Sequence, residues 1–471
     1  MKEEIITSEK TDSSPASSQV YTTASILKMT IPVAIEQLLN TSIGMINMMM
    51  VSSVGSEAVA AIGLVDSLNM LFFNVFTALA TGVMVIVAQC RGREDFEGAR
   101  EAASQTYTAS ILAAALTAIP LLLFGRPILD SLFGGTELGV REYASIYLFA
   151  SSITYPFIAA AQTAFGIVRA EGDTRAPLVS SVIGNLCNIV LGGILIFGFD
   201  MGMLGSAIGM MSARIVSAVL ISISMWKRYH WRGYEGFNFR FSRACMMPVL
   251  SIGVPAGLDS MMFNGGKLVV ATFMSGMGTA ALAANGIANS LFGFIGVPGN
   301  SISTITAPIV GYFFGARDYK ETKNYMFKLT AFSAVTLGVF CLVLYPFTPF
   351  LLELLYRPNP EELDIAVDIL HIAMLFQPLF WSGGFVTPAA LRATGDVKFM
   401  MVVSMCSMWT MRVFGGWFVG VQLGWGAPGI WVGMCSDWVV RSIFYVHRAW
   451  SGKWLSPELR EAAENLEKAT A

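Results

Sequence analysis

Residues 169–173 read Arg-Ala-Glu-Gly-Asp, and residues 392–396 read Arg-Ala-Thr-Gly-Asp. The two stretches lie 223 positions apart, and the same shift brings the rest of the chain into register with itself. Pro32 falls on Pro255, Glu36 on Asp259, Gly55 on Gly278, Gly63 on Gly286 and Ser67 on Ser290. Gly92 falls on Gly315, Asp95 on Asp318, and the pair Gly192-Gly193 on Gly415-Gly416. Glycine and proline sit where the backbone has special needs, so their coincidence at one shift marks an internal duplication.

The duplicated unit is a membrane unit. Of 471 residues, 54% are hydrophobic and 13% are charged, where a soluble domain carries about 25% charged residues. Mean hydropathy is +0.61. About 20 apolar residues in a helix cross a bilayer core. Runs of that size fall near 26–50, 58–88, 101–124, 143–168, 176–198 and 203–226, then near 248–274, 280–310, 325–350, 366–391, 399–421 and 427–450. The expected fold is all-α integral membrane, with twelve transmembrane helices in two six-helix repeats. Expected boundaries are a disordered tail over 1–24, an N-lobe over 25–226, a linker over 227–247, a C-lobe over 248–450 and a tail helix over 451–471. Ser456-Pro457 opens that tail helix as N-cap and first-turn proline.

Lys and Arg orient the chain. With the N-terminus inside, the cytoplasmic segments hold 23 of the 30 and the outer loops hold Arg126, Arg141 and Arg357. Both termini are therefore expected in the cytoplasm, and the short loops suggest a bacterial or archaeal cell membrane. Six helices per half is an even number, so the repeats are parallel and related by an axis along the membrane normal. Such halves leave a cleft between them, and rocking one against the other alternates access to it. That is a reason to expect secondary transport.

Other classes find no support. The net charge of −2 offers no basic surface for nucleic acid. The six cysteines are scattered and form no CxxC pair. His230, His371 and His447 are far apart, and the chain has no DDxxD, HExxH, GxSxG or Walker A motif. Neither an enzyme nor a bound cofactor is expected, and a channel filter of the TVGYG type is absent.

Polar residues inside apolar helices mark the candidate site, because charges there are costly. Glu36, Asn40, Gly44 and Asn47 follow at spacings of 4, 4 and 3, along one face of the first helix. Asp259, Ser260, Asn264 and Lys267 form a similar stripe in the seventh. Asp66 in the second helix has Asn289 as its repeat counterpart in the eighth. These stripes are expected to line the cleft, with Glu36 taking a proton, Na⁺ or a cationic substrate. A carboxylate in a low-dielectric cavity can exchange a proton near neutral pH. Asp259 is its counterpart, with Lys267 as a candidate balancing charge. The competing reading is that each acid, four residues after a helix-opening proline, is satisfied locally near an interface. Arg214, Arg412, Asp437 and Arg441 are read as structural, the last two as an i,i+4 pair. Arg169 and Arg392 are read as last-turn cations that suit the helix dipole, followed by Gly172 and Gly395 as caps.

Several pieces together resemble the multidrug and toxic compound extrusion (MATE) family: Ile31-Pro32-Val33, the Gly55-to-Gly63 turn, Val87-Ala88-Gln89 with Gly92, and the Arg169–Asp173 motif with its repeat. The resemblance spans roughly residues 25–450. It implies two six-helix lobes in a V about a central cavity. It also implies export of cationic or amphipathic compounds driven by inward Na⁺ or H⁺. The chain is expected to act as a monomer in the bilayer. Asn47 stands where many members carry an Asp, and Phe380-Trp381-Ser382 stands where many carry an acid. The rival reading is a flippase for a lipid-linked precursor, or an exporter of an anionic or zwitterionic metabolite, which Lys267 and Arg412 allow.

Overall fold

A computed structural model describes residues 21–133, 135–230 and 238–455. Twelve helical spans follow one another. In the first half they are α1 (Thr23–Ser52), α2 (Ser56–Gly92), α3 (Phe96–Phe133), α4 (Leu138–Ala170), α5 (Arg175–Gly198) and α6 (Gly202–His230). In the second they are α7 (Arg243–Ser275), α8 in two pieces (Thr279–Ile295 and Val297–Gly315), α9 (Tyr319–Tyr356), α10 (Pro360–Ala393), α11 (Val397–Gln422) and α12 (Gly426–Trp450). Among the described residues nine are long and apolar enough to cross a membrane, and the two pieces of α8 make a tenth. The other two, α1 and α12, have 30 and 25 residues. At 1.5 Å per residue they still exceed a core of about 30 Å. Their hydropathy is lowered by Lys28 and Glu36 in α1, and by Asp437 and Arg441 in α12.

Backbone geometry repeats even where side chains differ. Gly55 and Gly278 precede α2 and α8 with φ of 141° and 104°. Gly172 and Gly395 follow α4 and α10 with φ of 84° and 88°. Glu94 and Arg317 are repeat partners of opposite charge, yet both are left-handed, at 61° and 59°. The halves diverge where proline intervenes. α8 bends by 52° at Gly296, because Pro298 has no amide hydrogen for the carbonyl of Phe294. Its counterpart Val75 lies within the unbroken α2.

The lobes meet at the end where α2, α4, α8 and α10 finish, here called the basic end. The last turns of α2 and α8 cross so closely that a Cβ on Gly92 would overlap the Tyr312 carbonyl oxygen, and one on Gly315 that of Gln89. Gln89 Nε2 donates to the Ala393 carbonyl across the lobes at 2.8 Å. Nearby, Ile26, Met29 and Val33 of α1 pack into the core of the second half. The inter-lobe hydrogen bonds among the described residues lie toward this end.

Two expected boundaries shift. The tail expected over 1–24 gives way to structure by Tyr21, which is buried against Phe313 and Tyr325. Its carbonyl accepts from the Tyr325 hydroxyl at 3.1 Å, and Thr22 caps α1. The linker expected over 227–247 is shortened from both sides, since α6 runs to His230 and α7 starts at Arg243. Residues 1–20 and 231–237, and the tail helix expected from Ser456, lie outside the described residues.

Candidate substrate site

Between the lobes, just above the α2–α8 crossing, lies a cavity of about 330 Å³. Its lining is itself duplicated. Thr77 and Asn300, Ala80 and Ser303, Thr81 and Thr304, Met84 and Ala307, Gly166 and Ala389, and Arg169 and Arg392 are six repeat pairs. Gln37 and Gln162 complete it. A space walled by matched positions from both halves lies on the repeat axis. Polar side chains at i and i+4 in otherwise apolar helices, Thr77 with Thr81 and Asn300 with Thr304, were the available signal for this cavity. They carry no charge, so nothing marks them as costly in a bilayer as the acids and bases are marked.

Two arginines face this space in unequal states. Glu36 is buried in α1 and accepts from Arg169 Nη2 with both oxygens, at 2.8 and 2.7 Å. Arg169 thus does more than the dipole role read from sequence: it crosses between helices to neutralise a buried acid. Its counterpart Arg392 makes no hydrogen bond or ion pair among the described residues, and its Nε is buried without a partner. Asp259 occupies the position equivalent to Glu36, but no ion pair joins it to Arg392 or to Lys267. The proposed balancing of Asp259 by Lys267 is therefore not formed. Lys267 instead places Nζ 4.8 Å from the Phe263 ring centre.

The α1 stripe turns into the N-lobe. Asn40 Oδ1 accepts from Ser181 Oγ at 2.9 Å and from Asn185 Nδ2 at 2.7 Å. Ser181 and Asn185 line a second cavity of about 240 Å³ with Arg214, and Gln162 borders both cavities. Asn47 is half-buried further along α1 and joins neither group. Asp66 is exposed and accepts from Asn69 Nδ2 at 3.2 Å. Asn69 is buried and accepts in turn from the Tyr155 hydroxyl at 2.7 Å. Arg214 donates to Thr154 at 2.9 Å and stacks on Phe73.

The C-lobe is charged differently. Asp437 is fully buried and holds Arg441 at 2.7 Å and Arg412 at 3.2 Å, with Ser407 donating at 2.6 Å. The i,i+4 pair read from sequence is present, and Arg412 joins it. Three cations lie around one ring: Lys267, Arg412 at 4.7 Å and Arg441 at 5.5 Å from the Phe263 centre. Among the described residues Asp437 is the one carboxylate bonded to any of them. Asn264 is half-buried one residue from Phe263. Asn289 is exposed on α8 and donates to Asn285, which accepts from Trp431 Nε1 at 3.0 Å. Among the described residues no cluster of His, Cys, Asp and Glu could hold a metal ion.

Two matched bundles of membrane helices around an axial cavity define a two-lobe membrane transporter. The chain belongs to the MatE family: its model matches residues 32–194 and again 255–418, two segments that start 223 positions apart. Like its family, the chain is a multi-pass membrane protein that acts on small molecules. The chain is 24% identical to the uncharacterized transporter YisQ of Bacillus subtilis, over 92% of this chain and 95% of that one. It is 24% identical to a probable multidrug resistance protein NorM of Thermotoga maritima, over 91% and 92%. A crystal structure of MATE in the straight conformation superposes with a TM-score of 0.83 at 21% identity, covering 92% of this chain and 97% of that one.

Proposed function

We propose that the chain exports organic solutes across the cell membrane by alternating access, coupled to inward Na⁺ or H⁺. The observation that carries this reading is the axial cavity, sealed toward the basic end by the α2–α8 crossing. By the 23-to-3 distribution of Lys and Arg, the basic end and both termini face the cytoplasm. A cleft closed on the cytoplasmic side is the arrangement that releases cargo outward and admits the driving ion. The multidrug names of relatives such as that of Thermotoga maritima support a broad range of organic cargo.

Among the described residues Asp66 and Asp259 are the candidate acids left without an ion pair, and Asp66, the more exposed, is the better placed to take the ion. It is exposed and makes no ion pair among the described residues, whereas Glu36 is held by Arg169 and Asp437 by two arginines. The cargo expected from the family resemblance is cationic or amphipathic. Lys267, exposed beside a buried cluster in which two arginines outnumber Asp437, favours instead an anionic or zwitterionic solute at the C-lobe wall. A lipid-linked anion is the variant of that reading that would make the chain a flippase.

The test is flux in proteoliposomes, with a fluorescent organic cation and an organic anion offered separately under a Na⁺ or a proton gradient. The wild type is expected to move at least one of them, and Asp66→Asn to cut gradient-driven flux at least tenfold. If neither gradient moves either probe through folded protein, the exporter reading fails. If Asp66→Asn keeps full flux, the ion site lies elsewhere.

A further inference from the structure

We propose that the axial cavity is a receptor for an organic anion, a carboxylate or a phosphate, whose charge is taken by Arg392. The proposal rests on the exporter reading for its place in transport, but its test reads binding directly.

Charge and symmetry carry the argument together. The cavity wall presents two guanidinium groups from repeat-related positions. One is matched, since both oxygens of Glu36 lie on Arg169. The other is left open, with no hydrogen bond or ion pair among the described residues, although the Nε atoms of both arginines are buried and unpartnered. The acids at the two repeat positions differ by one methylene. Asp259 replaces Glu36 in the second repeat, and its carboxylate stands about one C–C bond, ~1.5 Å, nearer its own backbone. The mirror-image pair does not form. Arg392 is half-buried and faces the cavity without a counter-charge, and a planar two-oxygen anion is the ligand a guanidinium's geometry suits. Asn300 and Gln162 add amide groups at the wall. A volume of about 330 Å³ lies at the small end of ligand pockets, which run from about 300 to 1,000 Å³. It suits a compact anion such as an aryl carboxylate or a phosphate monoester.

The test is calorimetric binding of benzoate and of phenyl phosphate to the full chain in phosphatidylcholine nanodiscs, with choline as the opposite charge. One anion per chain is expected, not displaced by choline. Arg392→Gln should weaken it at least tenfold, with part of the loss recovered in Arg392→Lys. Asp259→Glu is the decisive variant. It keeps the net charge, copies a pair the N-lobe already forms, and should close the site, weakening binding at least tenfold. Glu36→Gln should release Arg169 and tighten binding several-fold. Nanodiscs containing phosphatidylglycerol separate the two sources of such an anion. Competition lost in Arg392→Gln assigns the site to a lipid headgroup, and no competition assigns it to a soluble anion. The proposal is overturned if the wild type binds neither probe, or if both Arg392→Gln and Asp259→Glu bind like wild type. Flux measured in parallel keeps the two readings apart. Cation export without anion binding sinks the receptor alone, and Arg392-dependent binding with no gradient-driven flux sinks the exporter alone.

Discussion

Asp437→Asn is expected to destabilise the folded chain by about 3–5 kcal/mol, the usual cost of removing one partner from a buried ion cluster. Asp437 is 0% exposed, and its two arginines are 2% and 4% exposed. Arg441 has further support, since its Nη2 donates to the Ser404 carbonyl at 3.1 Å. Arg412 has less: its ion pair lacks hydrogen-bond alignment, and its Nε has no partner. Removing the carboxylate charge leaves both guanidinium groups in a dry lobe with nothing opposite. Thermal unfolding of purified protein should show a large drop in melting temperature. Replacing all three residues with apolar ones of similar size should recover most of the loss, because the cost lies in the orphaned charges rather than in the missing bonds. An Asp437→Asn protein as stable as wild type would mean that water reaches the cluster from the cleft.

Gly92→Ala and Gly315→Ala address the crossing that closes the basic end. A Cβ on Gly92 would lie 2.8 Å from the Ala316 nitrogen besides overlapping Tyr312, and one on Gly315 2.7 Å from the Gln89 carbonyl carbon. These are backbone atoms, which cannot rotate aside as a side chain would. Overpacking of this kind costs about 1–3 kcal/mol, a bias of roughly 5- to 150-fold against the closed arrangement. Each half keeps its own packing, so the strain is relieved by parting the lobes at that end. Spin labels at the exposed, repeat-related Arg175 and Lys398 should report a longer distance in either variant, with native cysteines replaced. Unchanged distances would show that the crossing yields locally and does not hold the end shut.

The sequence was most legible where information is local or repeated. The shift of 223 located the paired caps, the crossing glycines and the two six-helix units. The Asp437–Arg441 pair was legible because i,i+4 neighbours share a helix face whatever surrounds the helix. Pro298 is visible in the sequence, but the 52° bend it allows at Gly296 is not. The pairing of Glu36 with Arg169 across 133 positions was hidden. It depends on how α1 is rotated about its axis, and a helix apolar on nearly every side gives no periodic signal for that rotation. Asn40 was hidden in the same way until its partners Ser181 and Asn185 on α5 were visible. Arg392 reads as a cation in the sequence but not as an unmatched one, since Glu36 and Asp259 carry the same charge and pairing is a matter of tertiary placement.

The cavity walled by six matched pairs has a geometric consequence. When two halves tilt by equal and opposite angles, points within either half sweep sideways, but a point equidistant from both does not. A solute held there has no need to ride on one half. It can stay nearly still while the seal forms first below it and then above it. In the alternating-access cycle proposed above, the work then goes into moving a barrier past a stationary passenger.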